Sequence, residues 1–187
     1  MKILLIGASG QLGQTLIKTK PQNIEIIECN RSNIDLSNLE LINDFILSSN
    51  ANFVINSAAY TGVDKAELES ELAYQINAEA PNAISNAVSK TKGSLIHIST
   101  DFVFDGTKNL PYKPKDHVNP LGVYGKSKAK GEEYLLKLKN NYVVRTSWLY
   151  GDFGKNFCLT MLRLHKEKSI AKQPLRVVSD QIGAPTS

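Results

Sequence analysis

The chain has 187 residues, 42% hydrophobic, 21% charged and 7% aromatic, with 22 Lys and Arg against 18 Asp and Glu for a formal charge of +4. These proportions describe a globular protein long enough to bury a sizeable core, and they exclude disordered, collagen-like and disulfide-stapled chains. A pI near 9.0 is a mild excess of base without a clustered stripe, so no nucleic-acid partner is expected. No apolar run reaches the length of a signal peptide or a membrane span, so no membrane partner is expected and the expected location is cytoplasmic. Cys29 and Cys158, the two cysteines, lack the spacing of a metal or redox pair and are expected to be buried thiols.

In chain order, residues 2–6 are apolar on both faces, as in the central strand of a covered parallel sheet. Glycines follow, then a helix over 11–20 that stops at Pro21, and a second strand over 24–28. Ser37 with Glu40 three residues later has the form of a capping box, opening a helix that carries Leu39, Ile42 and Ile46 on one face through Ser49. Residues 53–56 make a third strand. The stretch 64–90 is mostly helical, with Pro81 as a break or a helix start, and 94–99 is a fourth strand. Pro111, Pro114 and Pro120 mark 107–120 as a surface loop. A helix over 123–139, a strand over 142–145 and a helix over 156–168 complete the alternation. Strands alternating with helices specify the α/β class, a doubly wound parallel sheet of Rossmann-like type. The lysines at 126, 128 and 130, and at 137 and 139, are expected on the wet faces of helices.

Gly7, Gly10 and Gly13 form a G-x-x-G-x-x-G array between the first strand and the first helix. The first glycine permits the tight turn. The second lets backbone N–H groups approach a pyrophosphate, and the third lets the helix pack closely on the sheet. The helix N-terminus adds unpaired N–H donors and the positive end of its dipole. A dinucleotide is therefore expected. At the end of the second strand, Glu28 can accept from the ribose hydroxyls of NAD, whereas Arg31 can pair with the extra phosphate of NADP. Arg31 lies in the loop, where it reaches outward, so NADPH is favoured and NADH is allowed.

Tyr124 and Lys128 stand at i and i+4, neighbours on one helical face. Of the seven tyrosines, only Tyr124 has a lysine four residues on. A phenol with a nearby ammonium makes a proton donor whose pKa the cation is expected to lower, and the lysine has donors left to hold a ribose. Ser99, Thr100 and Asp101 end the fourth strand, at the sheet edge where ligands of such folds bind, and Thr100 is placed to bond a substrate carbonyl alongside the tyrosine. Turn satisfaction by Ser99 and Thr100 is the plain alternative. The scattered histidines 97, 117 and 165 suggest no metal site.

The motifs IGASGQLG (6–13), DL (35–36), NSAAYTGVDKAE (56–67), STDFVFDG (99–106), PLGVYGKSK (120–128), RTSWLY (145–150) and DQIGAPT (180–186) occur in this order. With them the chain resembles the extended short-chain dehydrogenase/reductases, and among these the dTDP-4-dehydrorhamnose reductase family. The resemblance implies hydride transfer from NADPH or NADH to the C4 ketone of a nucleotide-linked 6-deoxyhexose. It makes Tyr124 the proton donor, Lys128 its modulator and ribose anchor, and Thr100 the third catalytic group. It further implies that Gly10, Gln11 and Leu12 contact the pyrophosphate, Asp35 and Leu36 the adenine, and Ala58, Ala59, Tyr60 and Thr61 the ribose and nicotinamide side. Val63, Thr100, Asp101 and Trp148 fall at substrate positions, with plain core packing the alternative for Trp148. Tyr60 stands where some relatives have histidine.

Family members continue beyond the point equivalent to Ser187. The expected organisation is thus a cofactor domain over 1–150 and the start of a substrate-binding part over 151–187. A nucleotide sugar is the implied partner, and a homodimer is left open. Two other readings compete: a non-catalytic NADP-binding regulatory subunit on the same scaffold, and a related sugar-nucleotide epimerase or dehydratase, for which Asp101 would supply the additional acid.

Overall fold

The computed structural model describes residues 1–187. Five strands, β1 (Lys2–Ile6), β2 (Glu25–Cys29), β3 (Phe53–Asn56), β4 (Ser94–Thr100) and β5 (Asn141–Thr146), form one all-parallel sheet in the order β2-β1-β3-β4-β5. β1 sits inside the sheet, and Leu4, Leu5 and Ile6 are essentially inaccessible, as its unbroken apolar run requires. The direction in which successive strands are added reverses between β1 and β3, so a crevice opens at their carboxyl ends. The register decides what enters it. Ile6 pairs with both Cys29 and Asn56, so those three strands end level. Asn56 pairs with His97, so β4 runs three residues further and carries Thr100 past that row.

The helices are α1 (Gln11–Thr19), α2 (Ile42–Ser49), α3 (Val63–Ala66), α4 (Ser70–Tyr74), α5 (Ala80–Ser89), α6 (Val123–Leu135) and α7 (Phe157–Ile170). α2, α5 and α6 pack side by side on one face, and right-handed crossover puts α1 on the other. The core is a cluster that includes Leu4, Ile6, Ile42, Ile46, Val54, Ile84, Leu95 and Leu135. α7 buries none of its residues. The segment after it returns to the sheet edge, where Thr186 bridges Leu149 and the Ser147 hydroxyl donates to the Ala184 carbonyl at 2.6 Å.

Several sequence expectations are corrected. The proposed capping box does not form: Ser37 Oγ and its backbone N–H both donate to Asp35 Oδ1, at 2.8 and 2.9 Å, so α2 begins only at Ile42. The helix expected over 64–90 divides into α3, α4, a π turn at Gln75–Glu79, and α5. Pro81 lies two residues past that turn, in the first turn of α5. Lacking an N–H, it cannot continue regular hydrogen bonding to residue 77, and the wider turn absorbs the mismatch. α6 stops at Leu135 rather than near 139, because Asn141 Nδ2 donates to the Leu135 carbonyl at 2.8 Å and ends the helix from outside. β2 runs one residue later than expected. Cys29 is buried as expected, but Cys158 is exposed on α7. Lys128, expected with its neighbours on a wet helix face, is 1% exposed.

Candidate active site

A cleft of about 630 Å³ runs along the carboxyl edge of the sheet, from the loop after β2 to the segment after β5. Its floor begins at the glycine turn. Gly7 has φ +84°, and a side chain there would bring a Cβ within 2.7 Å of the Ala58 nitrogen, so only glycine fits. Gly10 caps α1 without a side-chain bond, and the first turn of α1 carries no acid. Gln11 and Leu12 face the cleft at this helix start, whose first N–H groups have no intrahelical partner. Gly13 lies behind, packed on Gly7 and Ala8, which is the close-packing role expected of the third glycine. The Gln11 side chain turns away from the helix end: Nε2 donates to the Leu149 carbonyl at 2.9 Å and Oε1 accepts from Asn156 Nδ2 at 3.0 Å. Sequence reading missed this tie between the glycine turn and the segment that follows β5.

At the β2 end the cleft is lined by Arg31, Asp35 and Leu36, but not by Glu28. Arg31 is 81% exposed with its guanidinium 4.0 Å from Asp35, free to swing toward an anion. The Asp35 carboxyl is held below its usual pKa, chiefly by the backbone N–H and the hydroxyl of Ser37.

After β3, Ala58, Ala59, Thr61 and Val63 line the wall. Tyr60 does not. Its hydroxyl donates to Glu69 Oε2 at 2.6 Å. The loop is clamped by Asn77, a residue of the π turn that sequence reading did not single out. Asn77 Oδ1 accepts from the Tyr60 N–H at 2.8 Å, while Nδ2 donates to the Tyr60 carbonyl and to Ser127 Oγ, both at 3.0 Å. The available signal was a carboxamide on an otherwise apolar helical face just ahead of a proline. Gly125 and Gly131 let α6 press against the Phe102 and Asn77 carbonyls, which seats the intervening Lys128 against the sheet.

Thr100, Asp101, Tyr124 and Lys128 converge on the same cleft. Thr100 satisfies the turn, the plainer of the two roles considered for it. Its Oγ1 accepts from the Phe102 N–H at 3.2 Å, closing the 3₁₀ turn Asp101–Val103, and also donates to Asp101 Oδ1 at 3.1 Å. The Tyr124 ring meets Phe102 edge-on at 5.5 Å. Burial raises the Tyr124 pKa above the ordinary phenol value, the Thr100 hydroxyl works against that rise, and the Asp101 charge adds to it. The expected lowering by Lys128 is therefore not what governs the phenol in this state. Lys128 Nζ points into the sheet instead, donating to the Ile98 carbonyl at 2.7 Å and lying 3.1 Å from His97 Nε2. Burial lowers the Lys128 pKa to about 8, partly opposed by Glu132. A phenol that keeps its proton through neutrality suits a proton donor.

Trp148 also lines the cleft, 44% exposed, with φ +47°. That backbone conformation is rare for a bulky residue, and an exposed ring on the wall excludes plain core packing. Gly183 is pressed against the indole. Two buried side-chain atoms lack any partner, Asn30 Oδ1 and Ser99 Oγ, and both residues line this cleft. Asn30 directly follows β2 and Ser99 is the penultimate residue of β4, three strand spacings apart, or about 14 Å. No group of three or more His, Cys, Asp or Glu side chains is placed to hold a metal, and no helix is long and apolar enough to cross a membrane.

Residues 1–187 match the family model described as RmlD substrate binding domain. The chain is similar to a dTDP-4-dehydrorhamnose reductase of Aggregatibacter actinomycetemcomitans, 44% identical over 188 residues that cover 99% of this chain and 63% of the relative. Among solved structures it is similar to the dTDP-4-dehydrorhamnose reductase of Bacillus anthracis in complex with NADP, with a TM-score of 0.92 at 37% identity over 99% of this chain and 65% of that one. The Clostridium acetobutylicum counterpart gives a TM-score of 0.85 at 44% identity, over 89% of this chain and 60% of that one. The chain thus spans somewhat under two thirds of the length of these relatives.

Proposed function

The chain belongs to the RmlD substrate binding domain family, and from that premise we propose that it binds NADPH, with NADH as a substitute, and takes part in reducing the C4 ketone of dTDP-4-dehydro-L-rhamnose to dTDP-L-rhamnose. The observation that carries this reading is the single cleft in which an uncapped, acid-free helix start faces Thr100, Tyr124 and Lys128. The similarity to dTDP-4-dehydrorhamnose reductases, and to the Bacillus anthracis protein in complex with NADP, supports it. The product is a sugar nucleotide of the kind used for surface polysaccharide, made in the cytoplasm.

The cofactor's phosphates fit the first turn of α1 at Gly10, Gln11 and Leu12, and the adenosine end fits between Arg31, Asp35 and Leu36. When bound, the nicotinamide supplies the hydride. Tyr124 gives its proton to the C4 oxygen as the alcohol forms, and burial keeps that proton on the phenol until it is needed. Thr100, its hydroxyl turned from Asp101, donates to the same oxygen and orients it. Lys128, protonated below about pH 8, holds the ribose with the donor that Ile98 and His97 leave free and stabilises the phenolate left behind. Val63, Asp101 and Trp148 hold the sugar nucleotide, and residues 151–187 begin the substrate-binding part.

The test is NADPH oxidation with dTDP-4-dehydro-L-rhamnose, run on this chain and on a version continued to the length of its relatives. Turnover by the longer form, reduced by about 10² to 10⁴ in Tyr124→Phe, supports the assignment. Activity of that variant within a few-fold of the parent removes Tyr124 from the role. Cofactor binding with no turnover in either form favours a regulatory, epimerase or dehydratase reading.

A further inference from the structure

Behind the catalytic wall lies a buried chain of polar groups. The Ala58 N–H donates to Asn56 Oδ1 at 3.1 Å, Asn56 Nδ2 lies 3.2 Å from His97 Nδ1, and His97 Nε2 lies 3.1 Å from Lys128 Nζ. Asn56 and His97 are fully buried and Lys128 is 1% exposed, so no solvent repairs a mismatch among them. We propose that His97 is a positioning residue for Lys128, which couples the charge on that lysine to the hydrogen bonding of Asn56 and Ala58 on the cofactor wall. The inference deepens the reductase reading and rests on it for its catalytic meaning.

The coupling follows from which atoms can donate. Asn56 Oδ1 is taken by the Ala58 N–H, so the Asn56 amide presents its NH₂ to His97, and Nδ1 must accept. A neutral ring that accepts at Nδ1 carries its proton at Nε2 and donates toward Lys128 Nζ. Only the neutral amine can accept there. An ammonium has three donors and no acceptor, so a charged Lys128 requires His97 to accept at Nε2 and to carry its proton at Nδ1. That proton then faces the Asn56 NH₂, donor against donor. Each time Lys128 gains its proton, the chain loses the Asn56–His97 bond, or keeps it by turning the Asn56 amide and losing the bond from Ala58. A doubly protonated ring offers no escape, because burial and the neighbouring ammonium hold the His97 pKa well below the ordinary imidazole value.

The remaining titratable groups around α6 do not reproduce this effect. Glu132 on the same helix favours the ammonium, and Arg145 of β5 occupies its carboxylate through Nε at 3.0 Å. Glu79 of the π turn accepts from Tyr134, Glu67 accepts from the Val123 N–H, and Glu69 from Tyr60. Tyr124 and Asp101 line the cleft, and neither bonds His97 or Asn56. His97 is thus the group whose proton position must change as Lys128 titrates, and Ala58 is where the cleft wall registers it.

The test reads nitrogen and lysine signals by NMR and needs no turnover. In the parent chain, the long-range ¹⁵N spectrum of His97 should pass from the Nδ1–H tautomer to the Nε2–H tautomer as Lys128, identified by its loss in Lys128→Met, gives up its proton. In His97→Gln the side-chain carbonyl accepts from the ammonium with no tautomer to satisfy. The Lys128 midpoint should then rise by about one pH unit, the effect of one hydrogen bond gained by the charged form. A single His97 tautomer across the Lys128 titration overturns the proposal, and that result requires no variant to fold. An unmoved Lys128 midpoint in a folded His97→Gln overturns it too, leaving a structural histidine. Coupled titration in a protein that never reduces the sugar keeps this inference and removes the reductase reading, so the two fail separately.

Discussion

Replacing Lys128 with methionine removes a charge that folding buries. Unfolded, the lysine keeps its proton to about pH 10.4; folded, burial brings its pKa down to about 8. Near pH 7 the folded protein must hold an ammonium that it disfavours, at a cost of about 3 kcal/mol; near pH 9.5 that cost is about 1 kcal/mol. Between the two pKa values the unfolded state binds more protons than the folded state. The parent's stability therefore rises with pH across that window, by about 2 kcal/mol from this group alone. Methionine has the right length and no proton to bind. Its loss of the bond to the Ile98 carbonyl costs about 1 to 3 kcal/mol, but by a similar amount at both pH values. Urea unfolding of parent and Lys128→Met at both values isolates the difference: the parent should gain about 2 kcal/mol relative to the variant on going to the higher pH. Parallel stability changes in the two proteins would show that Lys128 is not depressed, and the burial reasoning would fail with it.

Gly7→Ala forces a left-handed φ on a Cβ that lies 2.7 Å from the Ala58 nitrogen, and should cost about 3 kcal/mol in thermal or urea unfolding; parent-like stability would mean the turn can relax. Arg31→Ala should weaken NADPH binding about ten-fold and leave NADH binding unchanged in a fluorescence titration, and an equal loss for both cofactors would remove Arg31 as the phosphate partner. Asn77→Ala breaks three hydrogen bonds of a buried side chain and should cost about 3 kcal/mol while loosening residues 58–61. Hydrogen exchange at Tyr60 reports that loosening directly, and unchanged protection there would refute the clamp.

The element alternation, the parallel sheet and the glycine turn were legible from the chain because each rests on local chemistry. An apolar run such as 2–6 can only be buried on both faces, and a glycine array between strand and helix has few conformations to choose from. Tyr124 and Lys128 were legible for the same reason, since i and i+4 share a face on any helix. Other features depended on partners distant in sequence. Ser37 looks like a cap until Asp35 takes its hydroxyl, and the end of α6 is set by Asn141 rather than by any residue within the helix.

The same division holds in the site. Sequence alone placed a phenol beside an amine; which way that amine points was decided by the sheet, because β4 brings the Ile98 carbonyl and His97 against Lys128. Burial then governs the titration of Tyr124 and Lys128, and burial is a property of the packed chain that no spacing encodes. The Tyr60 hydroxyl found its partner in Glu69, and Asn77 and His97 became important because folding placed buried donors and acceptors on either side of them. A polar side chain inside a core takes its role from the groups it must satisfy there, and those groups come together only in the tertiary structure.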